Sequence, residues 1–152
     1  MGKKPIVIVG GEPNSIFLEI FFKSIKANSY KSPLIIVVSK KLLQEQMIKL
    51  GFSFKINDID IKFKNFSKLD NKKINLINVD YNFKKCFEKI SNKSNKYINE
   101  TFLIALKFMQ QNKFSKFING PISKKYFLKG KTLGITEYLA KKTKNNKVAM
   151  LI

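Results

Sequence analysis

Apolar residues fall along this chain in short dense runs separated by amphipathic stretches. Residues 5–9, PIVIV, and 33–38, PLIIVV, are apolar at nearly every position, as strands covered on both faces are. Between them Ile16, Leu18, Ile20, Phe21, Phe22 and Ile25 recur at helical spacing. They predict an amphipathic helix that follows a turn at Gly10-Gly11 and is capped by Asn14 or Ser15. Residues 40–50, KKLLQEQMIKL, predict a second helix, stopped by Gly51. Strand, helix, strand and helix with short links predict an α/β fold with a helix-covered, mostly parallel or mixed sheet.

The pattern changes after Gly51. FSFKIND and DIKFKNF, within residues 52–66, alternate apolar and polar positions and predict half-exposed or edge strands, where lysine discourages edge pairing. INLINV at 74–79 predicts another strand, and the polar SNKSNK at 91–96 a link. Residues 95–113 carry Ile98, Phe102, Ala105, Leu106 and Met109 on one helical face and predict the clearest helix of the chain. FSKFI at 114–118 predicts the next strand, and TEYLAKKTK at 136–144 a last helix. KVAMLI at 147–152 has the pattern of a strand being laid into a sheet, so the sequence reads as truncated within it. There is no internal repeat.

Composition narrows the function classes. The chain has 152 residues, 44% of them apolar, enough for a packed core. No apolar run reaches the roughly 18–20 residues of a membrane span. The first apolar run is shorter than a secretory core of about 7–15 residues, and Gly2 precedes a strand pattern rather than a free arm, so the expected location is cytoplasmic. One cysteine excludes an internal disulfide, and the absence of histidine removes the commonest transition-metal ligand, so no metal ligand set is expected in this chain. The net charge of +20 invites a nucleic-acid reading. All 30 basic residues, however, are lysine, and they are spread along the whole chain. Nucleic-acid sites favour arginine for its bidentate contacts. A chain rich in Lys, Asn, Ile and Phe fits AT-rich coding, and no nucleic-acid partner is expected.

Two turn motifs carry the candidate chemistry. Open α/β sheets bind ligands beyond the carboxyl ends of their strands, where loop amides and helix N-termini meet. Gly10-Gly11-Glu12-Pro13-Asn14-Ser15 follows the first strand, and Asn119-Gly120-Pro121-Ile122-Ser123-Lys124 follows FSKFI. Ser123 or Lys124 could contact an anion there, or the turns are ordinary caps with solvated lysines. Thr136, after Gly134, is either an N-cap or a hydroxyl facing a ligand phosphate, and Glu137 complements the helix dipole. No catalytic residue stands out.

In order and spacing, NGPISK at 119–124 and GITEYLA at 134–140 resemble the TGPI-N-K and GHTE-F-L-A segment of the 4-hydroxythreonine-4-phosphate dehydrogenase (PdxA) family. KYINETFL at 96–103 and VAML at 148–151 fall where that family has a similar helix and strand, and GEPNSIFLEI at 11–20 is similar to its GDPAGIGPEI. The resemblance implies an isocitrate/isopropylmalate dehydrogenase-like fold, of which this chain is part. Residues 1–117 would then belong to the first domain, and residues 118–152 would start a second, cleft-forming one. It also implies an NAD-dependent oxidoreductase of pyridoxal phosphate biosynthesis, a homodimer at full length. Such an enzyme oxidises a CH–OH group of a phosphorylated substrate with decarboxylation, using a divalent metal bound by histidines outside this chain. Of the family's His-Thr pair only Thr136 is retained. Ile135 stands at the histidine position and offers no side-chain hydrogen bond. Glu12 replaces an aspartate, and Ser15 and Phe17 replace glycines. A related phosphorylated hydroxy acid as substrate fits these departures, and so does a non-catalytic half that binds an anion or a partner.

Overall fold

The computed structural model describes residues 4–145, 148 and 149. Five strands form one parallel sheet: β1 (Ile6–Val9), β2 (Leu34–Val38), β3 (Ile56–Asp58), β4 (Ile74–Asn78) and β5 (Phe117–Asn119), in the order β3-β4-β2-β1-β5. The strand read over 147–152 lies, apart from Val148 and Ala149, outside the described residues.

Both faces of the sheet are covered, which is why β1 and β2 are apolar throughout. Ile8, Ile36, Val38 and Leu76 face helices α1 (Phe17–Ala27) and α2 (Lys40–Lys49), burying Leu18, Phe21, Phe22, Leu42, Leu43 and Met47. On the other face, Val7, Val9, Ile35, Val37 and Ile77 pack on Ile98, Phe102, Ala105 and Phe108 of α3 (Asn95–Asn112). Helix α4 (Ile135–Thr143) joins that layer through Tyr138, whose ring meets Phe102 edge-on at 5.3 Å.

Four places differ from the reading of the sequence. Of residues 52–66 only Ile56–Asp58 is strand. The Asp60 carboxylate accepts from Lys62 N at 2.6 Å and its carbonyl from Phe63 N at 2.9 Å, a local turn that competes with a ladder. Phe63 and Phe66 then turn inward, and Phe66 meets Phe114 at 4.9 Å. Phe114 is drawn into this aromatic group after a left-handed residue at Lys113 (φ 53°), so β5 starts at Phe117 rather than at residue 114. At α1 neither Asn14 nor Ser15 is the cap: Ile16 holds the N-cap position without a side-chain cap bond, the Ser15 hydroxyl accepts from Phe17 N at 3.3 Å one residue earlier, and Asn14 bonds elsewhere. Residues 92–94 are not a loose link: they form a helical turn leading directly into α3.

Candidate functional site at the carboxyl ends of β1 and β5

Strand β1 has β2 on one side and β5 on the other, and the connections that reach them run over opposite faces. The carboxyl ends of β1 and β5 therefore flank the point where ligands bind in open α/β sheets. Both sequence motifs that follow these strands meet there. Gly120 N donates to Val9 O at 2.7 Å, and Glu12 N donates to Pro121 O at 2.8 Å. A Cβ on Gly11 would overlap the Pro121 carbonyl, and one on Gly120 would overlap the Gly10 carbonyl. Gly11 is also left-handed, at φ +70°. The two glycine turns are thus close to each other, leaving no room between them for a ligand phosphate.

The composition of this rim is set by Glu12, which is 3% exposed. Its carboxylate accepts from Ser94 Oγ at 3.0 Å and from Asn14 N at 3.3 Å. Ser94 immediately precedes α3, so the carboxylate lies against the entry of that helix, where negative charge is favoured. Burial pushes the Glu12 carboxyl above its ordinary 4.5, while the bonds from Asn14 and Ser94 pull the other way. Asn14 Oδ1 accepts from Glu88 N at 3.0 Å and ties in the segment after β4. Tyr97 of α3 accepts from Ser39 N at 2.9 Å, and its ring stacks on Tyr81 at 4.5 Å. Burial raises both phenols, and the nearby Glu12 charge adds to the effect. Gln46 donates to Pro13 O at 2.8 Å. This polar network joins the β1 loop to the amino ends of α2 and α3.

The residues singled out in the second motif lie apart from it. Lys124 is exposed and begins a π-helical turn, Lys124–Leu128, in which the Ser123 hydroxyl accepts from Tyr126 N at 3.1 Å. Thr136 is not an N-cap: Gly134 holds that position, and Thr136 is in the first turn of α4. It is half-buried, and its hydroxyl has no hydrogen bond among the described residues. Ile135 packs on the α3 side of the core. Glu137 folds back over Gly134, its Oε2 lying 3.2 Å from where a Cβ would stand, and so shares the helix entry with any incoming anion. Next to α4 is a cavity of about 350 Å³ lined by Asn95, Asn99, Thr132, Tyr138 and four lysines, but not by Lys124, Ile135 or Thr136. Tyr138 donates to Asn99 Oδ1 at 3.0 Å, and burial pushes its phenol up to about 12.

Sequence reading missed Glu12 as a structural centre, and with it Ser94, Tyr81 and Tyr97. The signal was a carboxylate placed directly after an apolar strand and two glycines, in a chain with only 10 acidic residues.

A sequence profile of the family described as "Pyridoxal phosphate biosynthetic protein PdxA" matches residues 29–152. Among solved structures, the 4-hydroxythreonine-4-phosphate dehydrogenase from Burkholderia phymatum superposes with a TM-score of 0.77 at 20% identity, over 95% of this chain and 45% of its own. A protein described as the same dehydrogenase from Salmonella typhimurium gives 0.77 at 15% identity, over 95% and 46%. The Klebsiella pneumoniae enzyme gives 0.75 at 18% identity, over 93% and 44%. The chain spans less than half the length of these structures, and they share its fold. No curated protein matches it in sequence.

Proposed function

The chain belongs to the PdxA family, and from that membership we propose that it is one half of an NAD-dependent dehydrogenase acting on a phosphorylated hydroxy amino acid or hydroxy acid. 4-Hydroxythreonine 4-phosphate is the leading candidate, oxidised at a CH–OH group with decarboxylation in pyridoxal phosphate biosynthesis. The carrying observation is that the segment with NGPISK and GITEYLA lies inside the family match and follows β5 at the carboxyl end of the sheet. In this reading residues up to 117 form the first domain, and residues from 118 lead into a second, cleft-forming one. Thr136 supplies a hydroxyl toward the substrate and Lys124 a cation near its phosphate.

The residues present do not fit the family's divalent metal. The chain has no histidine, and the described residues hold no group of three His, Cys, Asp or Glu side chains able to share an ion. Nor do they fit NAD at the glycine turns, which are closed against each other. The metal ligands and most of the dinucleotide site then belong to the rest of a longer, homodimeric enzyme working in the cytoplasm. No helix among the described residues is long and apolar enough to cross a membrane.

A second reading, a non-catalytic half that binds a partner or an anion, is favoured by Ile135, a half-buried apolar side chain packed against the core where the resemblance places a histidine. One pair of assays separates the two. The purified 152-residue chain, given NAD, a divalent metal and 4-hydroxythreonine 4-phosphate, is expected to form no NADH. The same chain fused to the part of the Burkholderia phymatum enzyme outside its match is expected to form it. NADH from the chain alone would refute the half-enzyme, and a folded but inactive fusion would favour the non-catalytic reading.

A further inference from the structure

The cavity beside α4, about 350 Å³, sits between the entry of α3, the end of the Lys124–Leu128 turn and one flank of α4. Asn95 and Asn99 stand one helical turn apart on α3, and Tyr138 and Lys142 one turn apart on α4. Lys129, Lys131, Lys141 and Lys142 line it, and no carboxylate does. Lys142 Nζ is held over the Tyr138 ring at 5.4 Å, and none of the four lysines forms an ion pair among the described residues. Four like charges around one small cavity repel each other unless an anion lies between them.

A second feature is independent of charge. Among the described residues three side-chain atoms are shut off from water without a hydrogen-bond partner, and two of them, Asn95 Oδ1 and Thr132 Oγ1, belong to residues of this cavity's wall. Such atoms are costly until a partner reaches them. Turning the Asn95 amide over does not relieve it, because its Nδ2 donates to Tyr126 O at 2.7 Å. Asn95 Oδ1 therefore requires a donor. The Thr132 hydroxyl can donate or accept. Tyr138 donates to Asn99 Oδ1 at 3.0 Å, and the Asn99 side-chain N–H groups, which bond to nothing else among the described residues, remain for an acceptor.

We propose that this cavity binds a phosphate group that also presents an O–H donor, either hydrogen phosphate itself or a small phosphorylated polyol. The phosphate oxygens meet the lysines, the Thr132 hydroxyl and the Asn99 amide, and the O–H donates to Asn95 Oδ1. The volume is at the small end of the roughly 300–1,000 Å³ usual for ligand pockets, which suits a ligand of this size. Neither Lys124 nor Thr136 lines the cavity, so the site is separate from the one proposed for the dehydrogenase substrate. It stands whether or not the chain is half of a dehydrogenase. A phosphate bound there ties α4 and the loop before it to α3.

The test is calorimetric titration of the 152-residue chain with inorganic phosphate, glycerol 3-phosphate and sulfate, in about 150 mM sodium chloride to screen the scattered lysines. Above neutral pH, hydrogen phosphate and sulfate both carry about two negative charges, but only the phosphate keeps an O–H. At least one of the two phosphates is expected to bind about ten-fold or more tighter than sulfate, since a site built around a hydrogen bond rejects the analogue that lacks it. Whichever phosphate binds tighter identifies the ligand as free phosphate or as a phosphorylated polyol. Thr132→Val, which keeps shape and charge, is expected to weaken that binding at least about ten-fold and to leave the ligand-free Tm unchanged or higher. Sulfate binding as tightly as phosphate would reduce the site to a field of lysines. No binding of either phosphate, or wild-type binding by Thr132→Val, would overturn it as well. So would a lower ligand-free Tm for Thr132→Val, which would mean that the fold already satisfies this hydroxyl.

Discussion

Glu12 is a carboxylate removed from water and held by one hydroxyl and one amide, so its protonation is tied to folding. The folded chain holds the Glu12 proton more tightly than the unfolded chain does. Between 4.5 and the raised folded value it therefore carries more bound proton, and its contribution to stability falls as pH rises through that window. Glu12→Gln keeps an acceptor for Ser94 and removes the titration. Urea unfolding of the two proteins across this range is expected to show the wild type losing stability relative to Glu12→Gln as pH rises. Glu12→Ala instead leaves the buried Ser94 hydroxyl with only its weaker bond to Ser91 O, and should cost about 1–3 kcal/mol below that window, the cost shrinking as pH rises through it. If Glu12→Gln were as damaging as Glu12→Ala, the charge itself would be what holds α3 in place.

At the scale of elements, the crossing of the β1 and β5 turns explains the glycines better than a bound phosphate does. Gly11 and Gly51 share almost the same left-handed backbone, φ +70° and +71°, but nothing lies within 4 Å of a Cβ at Gly51. Gly51→Ala should cost only the left-handed strain, about 1–2 kcal/mol. Gly11→Ala adds an overlap with the Pro121 and Gly120 backbone, worth about 1–3 kcal/mol more. Chemical denaturation of both variants gives that difference directly, and equal costs would mean the turns separate freely. The sequence could not show this contact, since Gly11 and Gly120 lie far apart along the chain and meet only once β5 pairs with β1. What periodicity did show was the set of elements buried on a single pattern: β1, β2, β4, α2 and α3 lie within a few residues of their expected bounds. It failed at 52–66 and 114–116, where phenylalanines at alternating positions serve an aromatic cluster rather than a ladder. The site was legible as motif order, but its polar centre was not. Ser94, Tyr81 and Tyr97 come from segments whose local pattern says only link or helix.

For the molecule as a whole, charge acts as a field. Thirty lysines face 10 acidic residues, and the described residues contain two ion pairs, Lys23–Glu19 and Lys40–Asp58, both at the surface. Salt therefore has little attraction to screen and much repulsion. Self-repulsion of this kind destabilises the compact state, and exposed charges are screened beyond roughly 8 Å at physiological ionic strength. The Tm is expected to rise as sodium chloride is added, opposite to the response of a protein held by surface ion pairs. The same field attracts any polyanion at low salt, so DNA binding is informative only when titrated with salt. A dedicated nucleic-acid face would retain affinity at physiological salt through base or bidentate contacts, whereas scattered lysines give only the counterion term, which is steeply salt-dependent. Labelled duplex DNA is accordingly expected to bind at low salt and to be released by about 150 mM. Retention at that concentration would mean that the lysines form a site, and would shift the reading of this chain from a half-enzyme toward a nucleic-acid binder.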